Sequence, residues 1–407
     1  MGYQNMSKAL RLFSGCVGLM LAIWPIPAHA EVPASAVDNN RLAALEKRFQ
    51  AGLDAICMKH RLPGITAAYA LPDDRVAAFA SGMADKETSA KMTVDTRMPA
   101  GSVGKTFVAA TTIALAQDGK LSLDDKIEKW LGEQSWFKDL PNSQEITIRH
   151  LLMHRSGLVD HIYEPAWIGK ARQMVKNLDK DPDAYFKPVE LVQFVLKRKP
   201  LFPAGQGFKY TDTGYILLGM IIERAGGASY YNQVRQRFLN PLKLTLTEPA
   251  DHRDITNLAA GYLSVQNPFG LPSKVTADGR LRYNPASEWT GGGLVSNPQD
   301  LARWAKALYE GRALGKPYMN DLIAGDPKDK DKPKRYGLGV YVTQSKLGVS
   351  YGHGGWCVGY LSHVAYYPAQ RVAVAVQVNT DVRDDMLPPL MALTQDVLQT
   401  IGKATPR

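Results

Sequence analysis

The first clear pattern of apolar and polar positions lies between residues 40 and 60. Apolar residues recur there at steps of three and four, the spacing that turns one face of an α-helix towards a core. These apolar residues are Leu42, Leu45, Phe49, Leu53 and Ile56. Two short apolar stretches follow at 65–70 and 76–80, separated by Pro-Asp-Asp at 72–74, and they predict a hairpin of two strands.

A nearly continuous apolar stretch then runs from 107 to 116, directly after the segment 101–106, which reads Gly-Ser-Val-Gly-Lys-Thr. A helix that is apolar on every side is usually buried. We therefore expect a buried helix that begins at Ser102 and has its first turn at a surface cleft.

The rest of the chain changes character twice. From about 120 to 289 the pattern predicts helices joined by long irregular connections. Strand patterns and a closing helix follow, at 336–342, 351–356, 371–378 and 384–401.

Strands towards both ends of the chain, with helices between them, predict an α+β fold. One antiparallel sheet would be built from both termini, flanked by the terminal helices, with a mostly helical insert. We place the sheet lobe at about 38–100 and 290–405, the helical lobe at about 101–289, and the active site between the two lobes.

The first thirty residues have the order of a secretory signal peptide. Lys8 and Arg11 precede an apolar stretch at 12–26, and Ala-His-Ala at 28–30 closes it. We predict cleavage after about Ala30, a mature domain over 31–407 without a transmembrane anchor, and a secreted or periplasmic location. Cys16 offers a weaker alternative as a lipid-attachment site.

The formal net charge of +10 favours anionic surroundings such as a cell envelope. Part of this charge lies in the run 326–335, which predicts a solvated loop. Basic residues are not interleaved with aromatic ones in a stripe, so nucleic acid is not an expected partner. Cys57 and Cys357 would remain after cleavage, and export would allow them to pair, although two cysteines do not make a disulfide framework.

Ser102 and Lys105 stand three residues apart, so on a helix the amine can reach the hydroxyl. Serine–lysine pairs are one solution for activating a weak hydroxyl nucleophile. The plain alternative is a serine that caps a helix and an exposed lysine. A phosphate-binding loop is excluded because that motif needs glycine at the position of Pro99.

Two histidines, His150 and His154, stand at the four-residue spacing of a metal pair. No acidic residue or third histidine follows at ligand distance, so we interpret both as structural. We expect no metal and no cofactor.

Several motifs in one order resemble the serine β-lactamase-related family, in the branch of class C β-lactamases, D-alanyl-D-alanine carboxypeptidases and family VIII esterases. The resemblance covers about 40–400 and implies a β-lactamase-like fold. Its motifs are Ser102-Val103-Gly104-Lys105, Tyr210-Thr211-Asp212 in the place of Tyr-x-Asn, His353-Gly354-Gly355 in the place of Lys-Thr-Gly, and the segments 151–158 and 291–296.

The resemblance implies that Ser102 is the nucleophile, that Lys105 is its base, and that Tyr210 carries the proton to the leaving group. Backbone N–H groups of Ser102 and Trp356 would form the oxyanion hole. Substrate contacts are implied for Asp212, His353, Gly354 and Gly355. The expected substrate is a small or peptidic acyl compound, for instance a cell-wall peptide.

Two positions depart from the family pattern. Asp212 stands where asparagine is common; it lacks an amide donor, and its charge would keep Lys105 protonated and shift the work of the base towards Tyr210. His353-Gly354 replaces a lysine and a hydroxyl residue, which weakens the grip on a substrate carboxylate. We expect a D-alanyl-D-alanine carboxypeptidase-like peptidase or amidase, with a carboxylesterase as the alternative; a true β-lactamase and a silent ligand-binding relative are less favoured.

Overall fold

The computed structural model describes residues 39–263, 267–315, 317–382 and 387–402. The predicted signal peptide and Cys16 lie outside these residues. Within them, no helix has both the length and the apolar character needed to cross a membrane.

The helices, numbered in chain order, are α1 (Asn39–Lys59), α2 (Lys105–Gln117), α3 (Glu128–Leu131), α4 (Ile148–Leu152), α5 (Pro165–Lys176), α6 (Pro188–Gln193), α7 (Asp212–Gly226), α8 (Tyr230–Val234), α9 (Pro298–Tyr309), α10 (Pro317–Ala324) and α11 (Leu387–Gly402).

The strands are β1 (Gly64–Ala70), β2 (Val76–Asp85), β3 (Ala90–Lys91), β4 (Met98–Pro99), β5 (Glu248–Pro249), β6 (Thr276–Ala277), β7 (Arg280–Leu281), β8 (Leu294–Ser296), β9 (Lys334–Tyr336), β10 (Tyr341–Ser345), β11 (Gly348–Cys357), β12 (Tyr360–Tyr367) and β13 (Val372–Val378).

One eight-stranded antiparallel sheet joins the two ends of the chain, in the order β3-β2-β1-β13-β12-β11-β10-β9. The closing contact is the pairing of β1 with β13, in which Ile65 lies opposite Val378 and Ala67 opposite Val376. Helices α1 and α11 cover one face, where Phe49 and Tyr69 meet edge to face with ring centroids 5.4 Å apart. The expected α+β fold, with its sheet built from both termini, is confirmed.

The helices between the strands build a second core around α2, α7 and α9. The residues of α2 from Lys105 to Leu115 are all buried, as its unbroken apolar pattern predicts. Trp304 of α9 stacks on Phe107 at 3.8 Å and donates a hydrogen bond of 2.8 Å to Thr106 Oγ1. The first turn of α2 is therefore held from behind by α9.

Two predicted boundaries are wrong. The helix expected from Ser102 begins at Lys105, after a 3-10 turn over Gly101–Gly104. The single strand expected at 336–342 is two strands, because the chain reverses at Gly337–Val340, where Gly339 has a φ of +73°. A Cβ on Gly339 would lie 2.6 Å from Ala109 Cβ, so only glycine lets this turn pack on α2.

Both cysteines within the described residues, Cys57 and Cys357, are buried free thiols. The disulfide considered from the sequence is therefore absent from this structure. Burial raises the pKa of the Cys357 thiol to about 12, which makes it unreactive at neutral pH.

Candidate active site

The serine motif folds as a tight 3-10 turn that presents Ser102 at the start of α2. Gly101 has a φ of +52°, and a Cβ there would lie 2.6 Å from the carbonyl oxygen of Trp356. The turn therefore packs backbone against backbone on strand β11, an approach that requires glycine. Ser102 is partly exposed, whereas Val103 and Gly104 behind it are buried.

Lys105 is fully buried beneath Ser102. Its Nζ donates hydrogen bonds to Ser102 Oγ at 3.0 Å, to Asp212 Oδ1 and to the carbonyl oxygen of Gly291. Three acceptors match the three hydrogens of an ammonium group. As an ammonium group, Lys105 has a partner within the protein for each of its hydrogens.

The third acceptor belongs to the glycine loop at 291–293, which leads into β8. A Cβ on Gly292, whose φ is +156°, would lie 3.0 Å from the backbone nitrogen of Ser102, and a Cβ on Gly104 would lie 2.9 Å from Gly292. The loop thus lies directly on the serine turn, which explains why glycines stand on both sides. The sequence marks this segment as a family landmark but does not indicate that its carbonyl binds Lys105.

His154 positions Tyr210 through one ring contact and through hydrogen bonds to the residues on either side of it. The rings of the two residues lie 4.0 Å apart, Lys209 N donates to the His154 carbonyl at 2.9 Å, and Thr211 N donates to His154 Nδ1 at 3.2 Å. His154 lies beyond the end of α4 with a φ of +56°, so it does not share a helical face with His150. Within the described residues no cluster of acidic, histidine or cysteine side chains could hold a metal.

The hydroxyl of Tyr210 is buried and has no hydrogen-bond partner of ordinary geometry among the described residues. Burial, followed by the charge of Asp212, raises its pKa well above the usual value, and the Ser102 hydroxyl acts in the opposite direction. Lys105 Nζ lies 5.1 Å from the centre of the Tyr210 ring. The site therefore holds a neutral phenol close to the nucleophile and its lysine.

Asp212 begins α7, where negative charge suits the helix dipole. The buried carboxyl of Asp160 accepts a hydrogen bond from the backbone N–H of Asp212, and burial and the charge of Asp212 raise its pKa well above the usual value. Next to it, His161 N donates to Thr213 Oγ1 at 3.0 Å. These contacts fix the start of α7 so that Asp212 meets Lys105.

On β11, His353 is only 2% exposed. Its Nδ1 lies 2.6 Å from the carbonyl oxygen of Gly354, and its Nε2 lies 2.9 Å from the hydroxyl of Tyr336. Nδ1 must therefore carry the proton, and Nε2 accepts from the tyrosine. Burial and the charge of Lys105 lower the pKa of His353 to about 3, so it is neutral where the resembled family carries a lysine.

The last two predicted positions on β11 bring their backbone to the serine turn. A Cβ on Gly355 would collide with the carbonyl of Ala100, and the backbone of Trp356 lies against Gly101. The Trp356 side chain is 37% exposed. This neighbourhood suits an oxyanion hole made by the N–H groups of Ser102 and Trp356, which stays a prediction.

One acidic residue that the sequence analysis missed lies beside the glycine loop at 291–293. Glu288 ends a 3-10 turn at Pro285–Ser287, and its Oε2 lies 3.9 Å from the position that a Cβ on Gly291 would take. Burial, followed by the charge of Asp212, raises the pKa of Glu288 to about 7, while Lys105 acts in the opposite direction. Its position three residues before the glycine loop is the one sequence signal that could have indicated it.

The comparisons with known proteins agree on one family. The family model described as Beta-lactamase matches residues 42–396. A penicillin-binding protein of Bacillus subtilis (strain 168) is 25% identical over 331 residues, 79% of this chain and 69% of the relative. A teichoic acid D-alanine hydrolase of Staphylococcus aureus is 27% identical over 308 residues, 74% of this chain and 68% of the relative.

A solved structure gives the same result. A D-stereospecific amidohydrolase from Streptomyces sp. superposes with a TM-score of 0.71 at 26% identity, over 86% of this chain and 97% of that protein.

Proposed function

The chain belongs to the beta-lactamase family and is a serine hydrolase, and from this premise we propose that it is an exported peptidase or amidase for D-amino acid derivatives. The acyl group of the substrate would pass through an ester on Ser102. The observation that carries the proposal is the contact of 3.0 Å between Lys105 Nζ and Ser102 Oγ, with the Tyr210 phenol beside it.

In the first step, Ser102 Oγ attacks the substrate carbonyl carbon and gives a tetrahedral oxyanion. Collapse of this intermediate breaks the bond to the leaving amine and leaves the acyl group on Ser102. Water then attacks the ester, releases the acid and restores the serine hydroxyl. Backbone N–H groups of Ser102 and Trp356 would stabilise the oxyanion in both halves.

The proton of Ser102 must reach the leaving nitrogen. Lys105, with its three hydrogens donated, stabilises the developing alkoxide as a cation. A neutral Tyr210 can accept the serine proton while it gives its own proton to the leaving group, so that no phenolate accumulates. This relay agrees with a pKa of Tyr210 far above its usual value.

Two features support an amide rather than an activated ester. A leaving amine must be protonated, which a neutral phenol supplies, whereas the alkoxide of an activated ester leaves without such help. The relatives include one named for teichoic acid D-alanine and one named as a D-stereospecific amidohydrolase. A cell-wall peptide or another D-alanyl compound is therefore the substrate class we propose.

Covalent labelling tests this function most directly. We expect a fluorophosphonate probe to add one adduct per chain, and Ser102→Ala to abolish both labelling and hydrolysis of D-alanine amides, by roughly 10⁴-fold or more. Lys120→Ala, an exposed change beyond the end of α2, serves as the control. Labelling that persists in Ser102→Ala contradicts the proposal, and a protein that takes no label would be a ligand-binding relative.

Export is a separate part of the proposal and needs its own measurement. Sequencing the amino terminus of the protein recovered from the cell envelope or the medium should give Glu31 as its first residue. A protein that retains Met1 in the cytoplasm contradicts it.

A further inference from the structure

The cleft offers little to a substrate carboxylate. Lys105 donates its three hydrogens within the protein, and His353 is neutral. Another cation near this strand edge is Lys334, whose Nζ lies 4.0 Å above the ring centre of Tyr341. Burial lowers the pKa of Lys334 to about 8, so part of its charge is lost under mildly alkaline conditions.

The side of the cleft that contains Asp212 and Glu288 carries negative charge. Asp212 is paired with Lys105, whereas the carboxylate of Glu288 has no hydrogen-bond or ion-pair partner among the described residues. Asp212 Cγ and Glu288 Oε2 each lie 3.9 Å from the position that a Cβ on Gly291 would take. The carbonyl oxygen of Gly291 accepts a hydrogen bond from Lys105. A partly buried carboxylate without a partner is costly, and a cationic ligand would relieve that cost.

We propose that Glu288 binds the protonated α-amine of the acyl group, so that the enzyme prefers amides of amino acids whose amino group is free. This inference rests on the proposed function, because it assigns the part of the substrate that is acylated onto Ser102. An α-nitrogen lies only about 2.5 Å from its own carbonyl carbon, as standard bond lengths require. A carboxylate that binds this nitrogen must therefore lie near the nucleophile. Glu288 Oε2 lies 3.9 Å from the Cβ position of Gly291, the residue whose carbonyl accepts from Lys105.

The groups around Glu288 define how this contact depends on pH. Asp212 raises the pKa of Glu288 and Lys105 lowers it, and Glu288 in turn raises the pKa of Cys357, Tyr283 and Tyr231. With a pKa of about 7, Glu288 becomes ionised as the pH rises through neutrality. The KM for an amine-bearing substrate should fall between pH 6 and about 7.5 and rise again as the substrate amine, with an ordinary pKa of about 7.7–8.0, loses its proton. The KM for its N-acetyl counterpart should show neither change.

The test compares D-alanine p-nitroanilide with N-acetyl-D-alanine p-nitroanilide in the wild type and in Glu288→Gln. We expect kcat/KM for the free amine to fall roughly 30-fold or more in the variant, mainly through KM, because a buried charge partner is lost. The N-acetyl substrate should change by less than about threefold, since it makes no such contact. Glu133→Gln, a change of the same kind on the surface, should alter neither substrate.

Fluorophosphonate labelling at an unchanged rate in Glu288→Gln reports an intact nucleophile and fold. With that labelling in hand, equal losses on both substrates, or a wild type that prefers the N-acetyl compound, overturn the inference and leave the serine hydrolase standing. A wild type that takes no label overturns the proposed function and the inference together.

One further comparison tests the alternative in which Lys334 binds a carboxylate of the substrate. If the enzyme instead releases D-alanine fastest from acetyl-D-alanyl-D-alanine, and Lys334→Gln removes that activity while Glu288→Gln does not, the substrate is held by its carboxylate and the inference is overturned.

Discussion

The two sides of the nucleophile differ in how completely their polar groups are paired. On the lysine side, Lys105 donates to Ser102, Asp212 and Gly291. On the phenol side, the Tyr210 hydroxyl and His154 Nε2 are buried and have no hydrogen-bond partner of ordinary geometry among the described residues. Lys105 and His154 are both fully buried, so exposure of these two residues does not explain the difference.

The hydrogen bonds of Lys105 fix the position of the nucleophile. The Tyr210 hydroxyl remains able to form a hydrogen bond during the reaction. A buried polar group without a partner carries a desolvation cost, which a bound substrate or intermediate can offset. A leaving group or a tetrahedral intermediate in the cleft would give the Tyr210 hydroxyl a partner besides the Ser102 hydroxyl, which already acts to lower its pKa. Preorganised groups that bond in the transition state are the ones that accelerate a reaction.

Removing the unpaired hydroxyl should have the largest effect of the changes that sharpen this comparison. In Tyr210→Phe the ring contact with His154 remains, and the proton relay is lost. We expect kcat for a D-alanine amide to fall roughly 10²–10³-fold, the usual worth of general acid–base catalysis. A p-nitrophenyl ester, whose leaving group needs no proton, should lose less than about tenfold.

Steady-state kinetics with both substrates across pH 6–10 measures this. Because the pKa of Tyr210 is raised well above its usual value, the wild type should show no alkaline limb from phenol ionisation in that range. Equal losses on amide and ester would mean that the hydroxyl positions the substrate rather than delivers a proton.

The packing around Ser102 and Lys105 can be disturbed without changing any hydrogen-bonding side chain. In Gly292→Ala the new Cβ would lie 3.0 Å from Ser102 N, at a φ of +156° that disfavours any side chain. The serine turn must shift, and we expect roughly 2 kcal/mol of lost stability and about tenfold lower kcat. Chemical denaturation and kinetics check these two values.

Gly119→Ala is the matched control, since Gly119 has a φ of +68° near the end of α2 and nothing within 4 Å of its Cβ position. It should cost about 1 kcal/mol through backbone strain and leave kcat unchanged. If the two variants lose the same activity, crowding of the serine turn is not the cause.

The sequence predicts the fold class and the approach of Lys105 to Ser102, because both depend on local patterns. The periods at 40–60 and 65–80 correspond to α1, β1 and β2, and the motif spacing is enough to bring Lys105 to Ser102. The reversal at Gly337–Val340 was missed because an apolar alternation continues through it. Two glycines, at 337 and 339, were the signal against an unbroken strand.

The missed parts of the site have a common physical cause. The Gly291 carbonyl is a backbone atom, and its contact with Lys105 joins positions 186 residues apart. His154 was interpreted as a structural residue, but its support of Tyr210 depends on a left-handed backbone at a non-glycine residue, which the sequence does not indicate. Glu288 looks like any surface acid until the fold brings Asp212 and Lys105 to it.

The smallest expected effect comes from a pair that lies behind the phenol side. Tyr336→Phe removes the donor to His353 Nε2 and leaves a buried acceptor without a partner, which costs about 1–2 kcal/mol. We expect only a few-fold change in kcat, because His353 stays neutral through burial and the charge of Lys105.

The pH dependence of this stability difference identifies its cause. The lowered pKa of His353, about 3, means that its contribution is present above pH 6.5 and is lost as the pH falls towards 3. The tyrosine can donate only to the neutral ring, and the hydrogen bond must reverse its direction when Nε2 gains a proton. The Tm difference between wild type and Tyr336→Phe should therefore be constant from pH 8 to 6 and change below about 4. A Tm difference that vanishes already at pH 6 would show that His353 is protonated there. The conclusion that His353 is neutral in the cleft would then be wrong.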